Sequence, residues 1–272
     1  MAEPSRNQIA QALEAFLYAQ TWGECKRIVE VERDKLLTDT ADQLLAYLLE
    51  QYRNNADVTH IFEDRRDLLA RCRRDGIERA FADRLHAEEL MTLLSQIKQL
   101  DSPSDMSRRV TLCYSALQLV NRHAQAQLWA TLQKTLAHSL VQTPPVESAD
   151  NLEQAISHYQ QALQVFTRQA FPQDWALTQN DLGNAYNKRI RGERAENLEQ
   201  AISHFQQALE VRTRQAFPIE WAGTQNDLGI AYYARIRGER ADNLEQAISH
   251  FQQVLQVFTR QALPQDWART QH

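Results

Sequence analysis

The chain has 272 residues, 43% of them hydrophobic, and its 30 Lys and Arg against 35 Asp and Glu give a net charge of −5. That length serves one elongated or two compact domains, and a mildly acidic chain lacks the basic excess that drives phosphate binding, so nucleic acid is not an expected partner. Cys25, Cys72 and Cys113 are dispersed, without the spacing of a disulfide framework or a zinc site, and read as reduced thiols of a cytoplasmic protein. The start shows no basic segment followed by an apolar one, and no window approaches ~18 apolar residues, so neither secretion nor membrane spanning is expected.

Seven Gly and seven Pro among abundant Leu, Ala, Gln, Glu and Arg predict helices joined by short loops, an all-α chain. In chain order, helical periodicity predicts helices over Asn7–Gln20, Trp22–Leu37, Ala41–Tyr52, Val58–Asp75 and Ile77–Leu100. Thr40 and Gln43 suggest a capping box, and Gly76 a helix stop. Asp101-Ser102-Pro103-Ser104-Asp105 reads as the linker between an N-terminal helical domain, 1–103, and a repeat domain, 104–272, with Ser104 capping the next helix.

The repeat domain carries Asn-Leu-Glu-Gln-Ala-Ile-Ser-His at Asn151, Asn197 and Asn243, and both 197 − 151 and 243 − 197 give a period of 46. Leu198, Ala201, Ile202, Phe205, Ala208 and Leu209 fall on one helix face, with Asn197 as its expected cap and Gln200 answering it. Pro218 opens a further helix with Trp221, Leu228, Tyr232 and Ile236 on one stripe, and Gly238 is expected to end it. Each unit is thus a helix pair. Trp129, Trp175, Trp221 and Trp267 keep the same period, so the array starts near Ser104 with a degenerate copy in which Leu136, Ala137 and Leu140 hold the columns of Leu182, Gly183 and Tyr186. Pro144-Pro145 there replaces the Arg-Gly-Glu-Arg turn. The segment Trp267 to His272 stops inside a helix that earlier copies continue, which reads as a truncation with His272 beginning a tag.

Leu182-Gly183, Tyr186, Ala201, Phe205 and Ala208 together resemble a tetratricopeptide repeat, though its standard unit has about 34 residues. The longer unit is similar to repeats of kinesin light chains and of bacterial tetratricopeptide proteins associated with CHAT-domain proteases. The Asn-Leu-Glu-Gln-Ala-Ile and Ala-Phe-Pro-Gln-Asp-Trp wording is nearest the bacterial group. The resemblance implies a right-handed α-solenoid of antiparallel helix pairs acting as a non-catalytic scaffold or adaptor. It also implies the sensor arm of a larger protein, with the first helix of each pair lining a peptide groove. Carried over, the groove columns are Leu177, Asn180, Asn184, Asn187 and Lys188 in one copy and Gly223, Asn226, Ile230, Tyr233 and Ala234 in the next. Lys134 and His138 hold the Asn180 and Asn184 columns in the first copy.

Four of these five columns change between copies while the packing columns do not, as expected where pockets set specificity and packing sets shape. Drift of exposed positions after duplication explains the change equally well. Asn180 and Asn226 are constant, and on an exposed side they could bond a peptide backbone or, instead, the adjacent helix. His158, His204 and His250 recur without a second ligand at i+4 and read as half-buried helix histidines. The Arg-Gly-Glu-Arg turns could bind anions, but their arginines are expected to complement helix C-termini and pair with Glu193, Glu196 or Glu199.

Arg65, Arg66, Arg71, Arg73 and Arg74 are interleaved with Asp64, Asp67 and Asp75, which favours a solvated helix face or an interdomain contact. No phosphate loop, HExxH, GxSxG or Cys/His constellation appears, so no catalytic group, metal or cofactor is expected. The expected partner is a protein or peptide. The alternatives are a self-associating structural module with an empty groove, and RNA sensing through the Arg65 to Arg74 cluster.

Overall fold

The computed structural model describes residues 4–144 and 148–257. The described residues are all-α and form two compact units, Met1–Thr92 and Leu93–His272. Pro145 of the expected Pro-Pro turn, Trp267 and the ending at His272 lie outside the described residues.

Unit 1 holds α1 (Arg6–Tyr18), α2 (Trp22–Val31), α3 (Arg33–Leu36), α4 (Asp39–Gln51) and α5 (Ala56–Asp75), followed by the long α6 (Ile77–Gln99). Its core gathers Leu13 and Phe16 of α1, Cys25 and Val29 of α2, Leu45 of α4, Leu68 and Leu69 of α5, and Phe81 of α6. The single helix expected over Trp22–Leu37 is two, broken at Glu32, whose backbone leaves the helical region at φ −100°, ψ 24°. The cap of α4 is Thr38 rather than Thr40: the Thr38 hydroxyl accepts from the Ala41 amide at 3.2 Å, which starts the helix two residues earlier. Gly76 does stop α5, at φ 86°.

Unit 2 continues with a short 3-10 turn (Pro103–Asp105), then α7 (Met106–Leu119), α8 (Ala126–Gln142), α9 (Ala149–Ala162), α10 (Pro172–Lys188), α11 (Arg194–Leu209), α12 (Pro218–Ala234) and α13 (Arg240–Leu255). Ser104 does not cap α7; its hydroxyl lies 2.9 Å from that of Ser102. Pro172 and Pro218 stand at the first helical position, where a missing N–H leaves no bond unmade.

The closest packing joins α8 to α9, α10 to α11 and α12 to α13. At the centre of the second pair, a Cβ on Gly183 would lie 2.7 Å from Cε1 of Phe205, and Gly229 stands in the same relation to Phe251 at 2.8 Å. The glycine is therefore a steric requirement: only a bare Cα lets the ring lie against the backbone. Ala201, Ile202, Phe205, Leu228 and Ala231 continue the packing between α11 and α12.

The turns between paired helices differ from expectation. α12 ends at Ala234, and Gly238 lies beyond it, with φ 80° inside the connecting turn. Asn197 is no N-cap; it lies within α11, buried, and its Nδ2 donates to the Arg191 carbonyl at 2.9 Å. It ties the turn onto the helix, and Asn243 does the same to Arg237 at 2.9 Å. Gln200 accordingly answers Glu196, at 3.1 Å, instead of a cap.

Gly183→Ala is expected to destabilise the chain by about 1–3 kcal/mol through overpacking, outweighing the roughly 1 kcal/mol that Ala gains in helix propensity. Denaturant unfolding checks this, and a midpoint equal to or above that of the parent would refute the steric reading.

Candidate functional site

The first helices α8, α10 and α12 come side by side in successive pairs, and the side chains between them decide what surface remains. Lys134 of α8 reaches Asp174 of α10 at 2.7 Å, its ammonium 5.4 Å from the centre of the Phe166 ring. One repeat on, Asn180 of α10 takes the same place with different chemistry. Its Nδ2 donates to Asp227 Oδ2 at 3.1 Å and its Oδ1 accepts from Thr224 Oγ1 at 2.7 Å. Asn184 donates to the same Asp227 oxygen at 2.9 Å.

The expectation that Asn180 stands on an exposed side is therefore corrected: it is 7% exposed, and both ends of its amide are engaged by α12. Asn226, in the same column one repeat on, is half-buried. Asn187 receives Arg194 at its carbonyl and, at 3.4 Å, at its Oδ1. His138 meets Gln142 one turn along α8 at 2.7 Å.

The remaining predicted residues are open to solvent. Leu177 is 37% exposed, Ile230 43% and Tyr233 59%, with Lys188 exposed beside them in sequence register. The guanidinium of Arg240 lies 5.0 Å over the Tyr233 ring and donates to the Tyr233 carbonyl. Large exposed apolar side chains thus occupy three of the variable columns.

Residues that the column arithmetic missed shape this face as strongly. Burial lifts the Asp181 carboxyl to about 6, with Arg212 and Lys134 opposing the shift and Asp227 adding to it. Asp227 is raised for the same reason, against the bonds from Asn184 and Asn180. Burial lowers Arg212, whose Nη1 donates to Thr224 Oγ1 at 2.9 Å. Recurrence of Asp181 and Asp227 at the 46-residue period was the available signal, and Arg212 is visible as an exception to its own column.

The repeated histidines form a ladder inside the helix pairs. Nδ1 of His158 lies 2.6 Å from Gln133 Oε1, that of His204 2.7 Å from Gln179, and that of His250 2.5 Å from Gln225. His204 and His250 also stack on Tyr186 and Tyr232, with ring centres 5.4 Å apart in each. With a Gln oxygen facing it, Nδ1 carries the proton and the ring stays neutral. Burial holds His204 down at about 4 and lowers His158 and His250 as well. These are the half-buried helix histidines of the sequence reading.

The arginine-rich turns are ion-paired between repeats. Arg189 grips Glu153 with both nitrogens at 2.7 and 2.8 Å, and Arg235 grips Glu199 at 2.8 Å twice. Arg191 pairs with Asp150 at 2.6 Å and Arg237 with Glu196 at 2.9 Å, while Arg194 and Arg240 donate to helix-end carbonyls. Glu153 and Asp150 were not among the expected partners; they belong to the preceding repeat.

In unit 1 the Arg65 to Arg74 cluster is likewise engaged. Arg65 is buried over the Trp22 ring at 4.3 Å, Arg66 holds Asp42 at 2.8 and 2.7 Å, and Arg71, Arg73 and Arg74 face Asp83, Asp39 and Asp75. Among the described residues no group of three or more metal-ligating side chains occurs, and no helix is long and apolar enough to cross a membrane.

Stacked helix pairs whose first helices carry an exposed, varying face define a helical-repeat solenoid of the protein-interaction scaffold class. The family model described as "Soluble NSF attachment protein, SNAP" matches residues 113–269, more than half of the chain, and the chain belongs to that family. No curated protein matches it.

Two outcomes follow from the buried groups. Asn180→Ala removes a partner from both Thr224 and Asp227 and is expected to cost about 1–3 kcal/mol, seen as a lowered Tm; an unchanged Tm would leave the amide without a structural role. The pH profile has two opposing parts. His204 sits below its usual 6.5, so the unfolded chain binds the proton first and stability is lost as pH falls from 6.5 towards about 4. Asp181 sits above its usual 3.8, so its contribution runs the other way, with stability lost as pH rises from 3.8 through about 6. Asp181→Asn should therefore raise stability above pH 6 and steepen the loss on acidification. Denaturant unfolding across pH 4–7 tests both signs.

Proposed function

We propose that unit 2 recognises a protein partner by binding a peptide segment along the first-helix face of the solenoid. The observation that carries the reading is that the columns which vary between copies present exposed apolar side chains, Leu177, Ile230 and Tyr233, whereas the neighbouring columns are buried and constant. An exposed apolar side chain at a site that packing leaves free supplies contact area to a partner. The polar groups between them, Asn184, Asn226 and Lys188, offer donors for a peptide's carbonyls. Membership in a family of helical-repeat scaffolds supports the same direction.

The finer reading places this region in the cytoplasm as the sensor arm of a larger bacterial protein that also carries a CHAT-type cysteine protease. It rests on the wording of the repeat. Arg65 is buried over Trp22, and Arg66, Arg71, Arg73 and Arg74 pair with acids of their own unit, which weighs against RNA sensing, since a guanidinium already balanced by a carboxylate must give up that partner to meet a phosphate.

The reading is tested by selecting displayed peptides on the full chain and measuring the binders by fluorescence anisotropy. Ile230→Ser with Tyr233→Ser should weaken them about tenfold or more while leaving the Tm within a degree or two of the parent, as truncating contact residues does. Selected peptides that bind the double variant as well as the parent would place the interface elsewhere.

A further inference from the structure

The internal repeat isolates one side chain. At the 46-residue period one column reads Phe166, Arg212, Phe258 in the sequence; Phe166 and Arg212 lie just beyond α9 and α11, and Phe258 is outside the described residues. Phe166 is fully buried, edge-on to Phe171 with ring centres 5.6 Å apart, and Lys134 above it closes the joint by pairing with Asp174. In the next joint all three positions differ: Asn180 replaces Lys134, Glu220 replaces Asp174 and Arg212 replaces Phe166. There the joint stays open, because among the described residues neither Arg212 nor Glu220 has an ion-pair partner. A cavity of about 330 Å³ results, lined by the apolar Leu177, Val211 and Phe217, by Gln173, and by the charged Arg212, Glu220 and Asp174, the last of which is paired with Lys134.

Arg212 carries five side-chain N–H donors and, among the described residues, makes one side-chain hydrogen bond, to Thr224 at 2.9 Å. The carboxylates that face it are Asp181, Glu220 and Asp227, none within ion-pairing distance. An anionic ligand would gain Arg212 but meet those three carboxylates and Asp174, and a cationic one would gain Glu220 but meet the guanidinium, Asp174 being already paired with Lys134. A neutral amide satisfies both walls at once, its carbonyl accepting from Arg212 and its N–H donating to Glu220. The apolar wall then calls for an aliphatic side chain on the same residue.

We infer that this cavity is the subsite for one aliphatic residue of an extended, uncharged peptide stretch, read through its main-chain amide by Arg212 and Glu220. The inference rests on the groove reading above and adds the chemistry of what the groove selects. Arg212 is thereby the specificity-determining residue of this joint, and in the joint closed by Lys134 and Asp174 the buried Phe166 stands in its place.

The test uses the full chain and three probes sharing a leucine side chain: neutral N-acetyl-leucine N′-methylamide, anionic N-acetyl-leucine and cationic leucinamide. Binding is followed by NMR at the Leu177 methyls and the Arg212 side-chain nitrogen. The neutral probe is expected to bind in the millimolar range, with each charged probe roughly tenfold weaker or more. Arg212→Phe installs the residue that the repeat itself carries at position 166, so the fold should tolerate it, and it should weaken the neutral probe by a similar factor. Equal or tighter binding of either charged probe overturns the inference, as does unchanged binding of the neutral probe to Arg212→Phe. Display-selected peptides that lose affinity with Ile230→Ser and Tyr233→Ser but keep it with Arg212→Phe overturn the subsite and leave the groove reading standing. A chain that selects no peptide overturns the groove reading itself.

Discussion

The second and third helix pairs depend on the approach of an aromatic ring to a bare helix backbone, Phe205 against Gly183 and Phe251 against Gly229, where the first pair sets the buried Ala137 and Tyr159 in the same columns. Close packing of this kind has no slack, because protein interiors are filled to crystal density and a single methyl is felt. The distance between paired helices is set there, and everything more directional is built on it. Bidentate pairs such as Arg189 with Glu153 and Arg235 with Glu199 need their partners held in one geometry. They repeat with nearly the same distances because the apolar contact beneath them repeats. On their own, such half-exposed pairs contribute little; on a fixed spacing they set the register from one pair to the next.

The same spacing explains the histidines. A ring between two helices must satisfy its N–H, and the Gln at positions 133, 179 and 225 recurs with it at constant separation. Desolvation then keeps the imidazole neutral, so a residue that would usually titrate near neutrality becomes a fixed donor. Its recurrence is a consequence of packing. Nδ1 is occupied in every copy, and in the first copy Nε2 also meets a protein group, the Tyr114 hydroxyl at 3.4 Å.

The fold was largely legible from residues because one set of columns repeats unchanged, and a constant apolar column at helical spacing has few other meanings. Element ends were less legible. Asn197 looks like a cap by type and position, yet the helix begins at Arg194, so the same amide reaches the turn's carbonyl instead of the first-turn N–H groups. The candidate site was legible only in part. Leu177, Ile230 and Tyr233 are where the columns put them, open to solvent. Asn180 is not, and its constancy has a different origin: Thr224 and Asp227, which it serves, are equally constant in the sequence as Thr178 and Asp181. Column counting shows which residues face the neighbouring first helix but not whether that helix consumes them.

Constancy and variation in this array are therefore coupled through charge. Where Lys134 occupies its column, the cation crosses to Asp174 and an aromatic fits beneath it; where Asn180 occupies it, the cation has moved to Arg212, the aromatic is gone and the acid at Glu220 is left unpaired. The total charge of the joint is unchanged by this exchange, so electrostatics alone would tolerate either arrangement. The two differ in geometry. A lysine reaching from one first helix to the next fills the joint, whereas an arginine rising from the turn below stops at Thr224 and leaves its remaining donors facing the cavity. An unpaired, partly buried guanidinium is costly to maintain for stability alone, and a packed phenylalanine, as in the preceding copy, would serve the fold better. The departure from the preceding copy at these three columns, Lys134 to Asn180, Asp174 to Glu220 and Phe166 to Arg212, is the signal on which the proposed subsite rests.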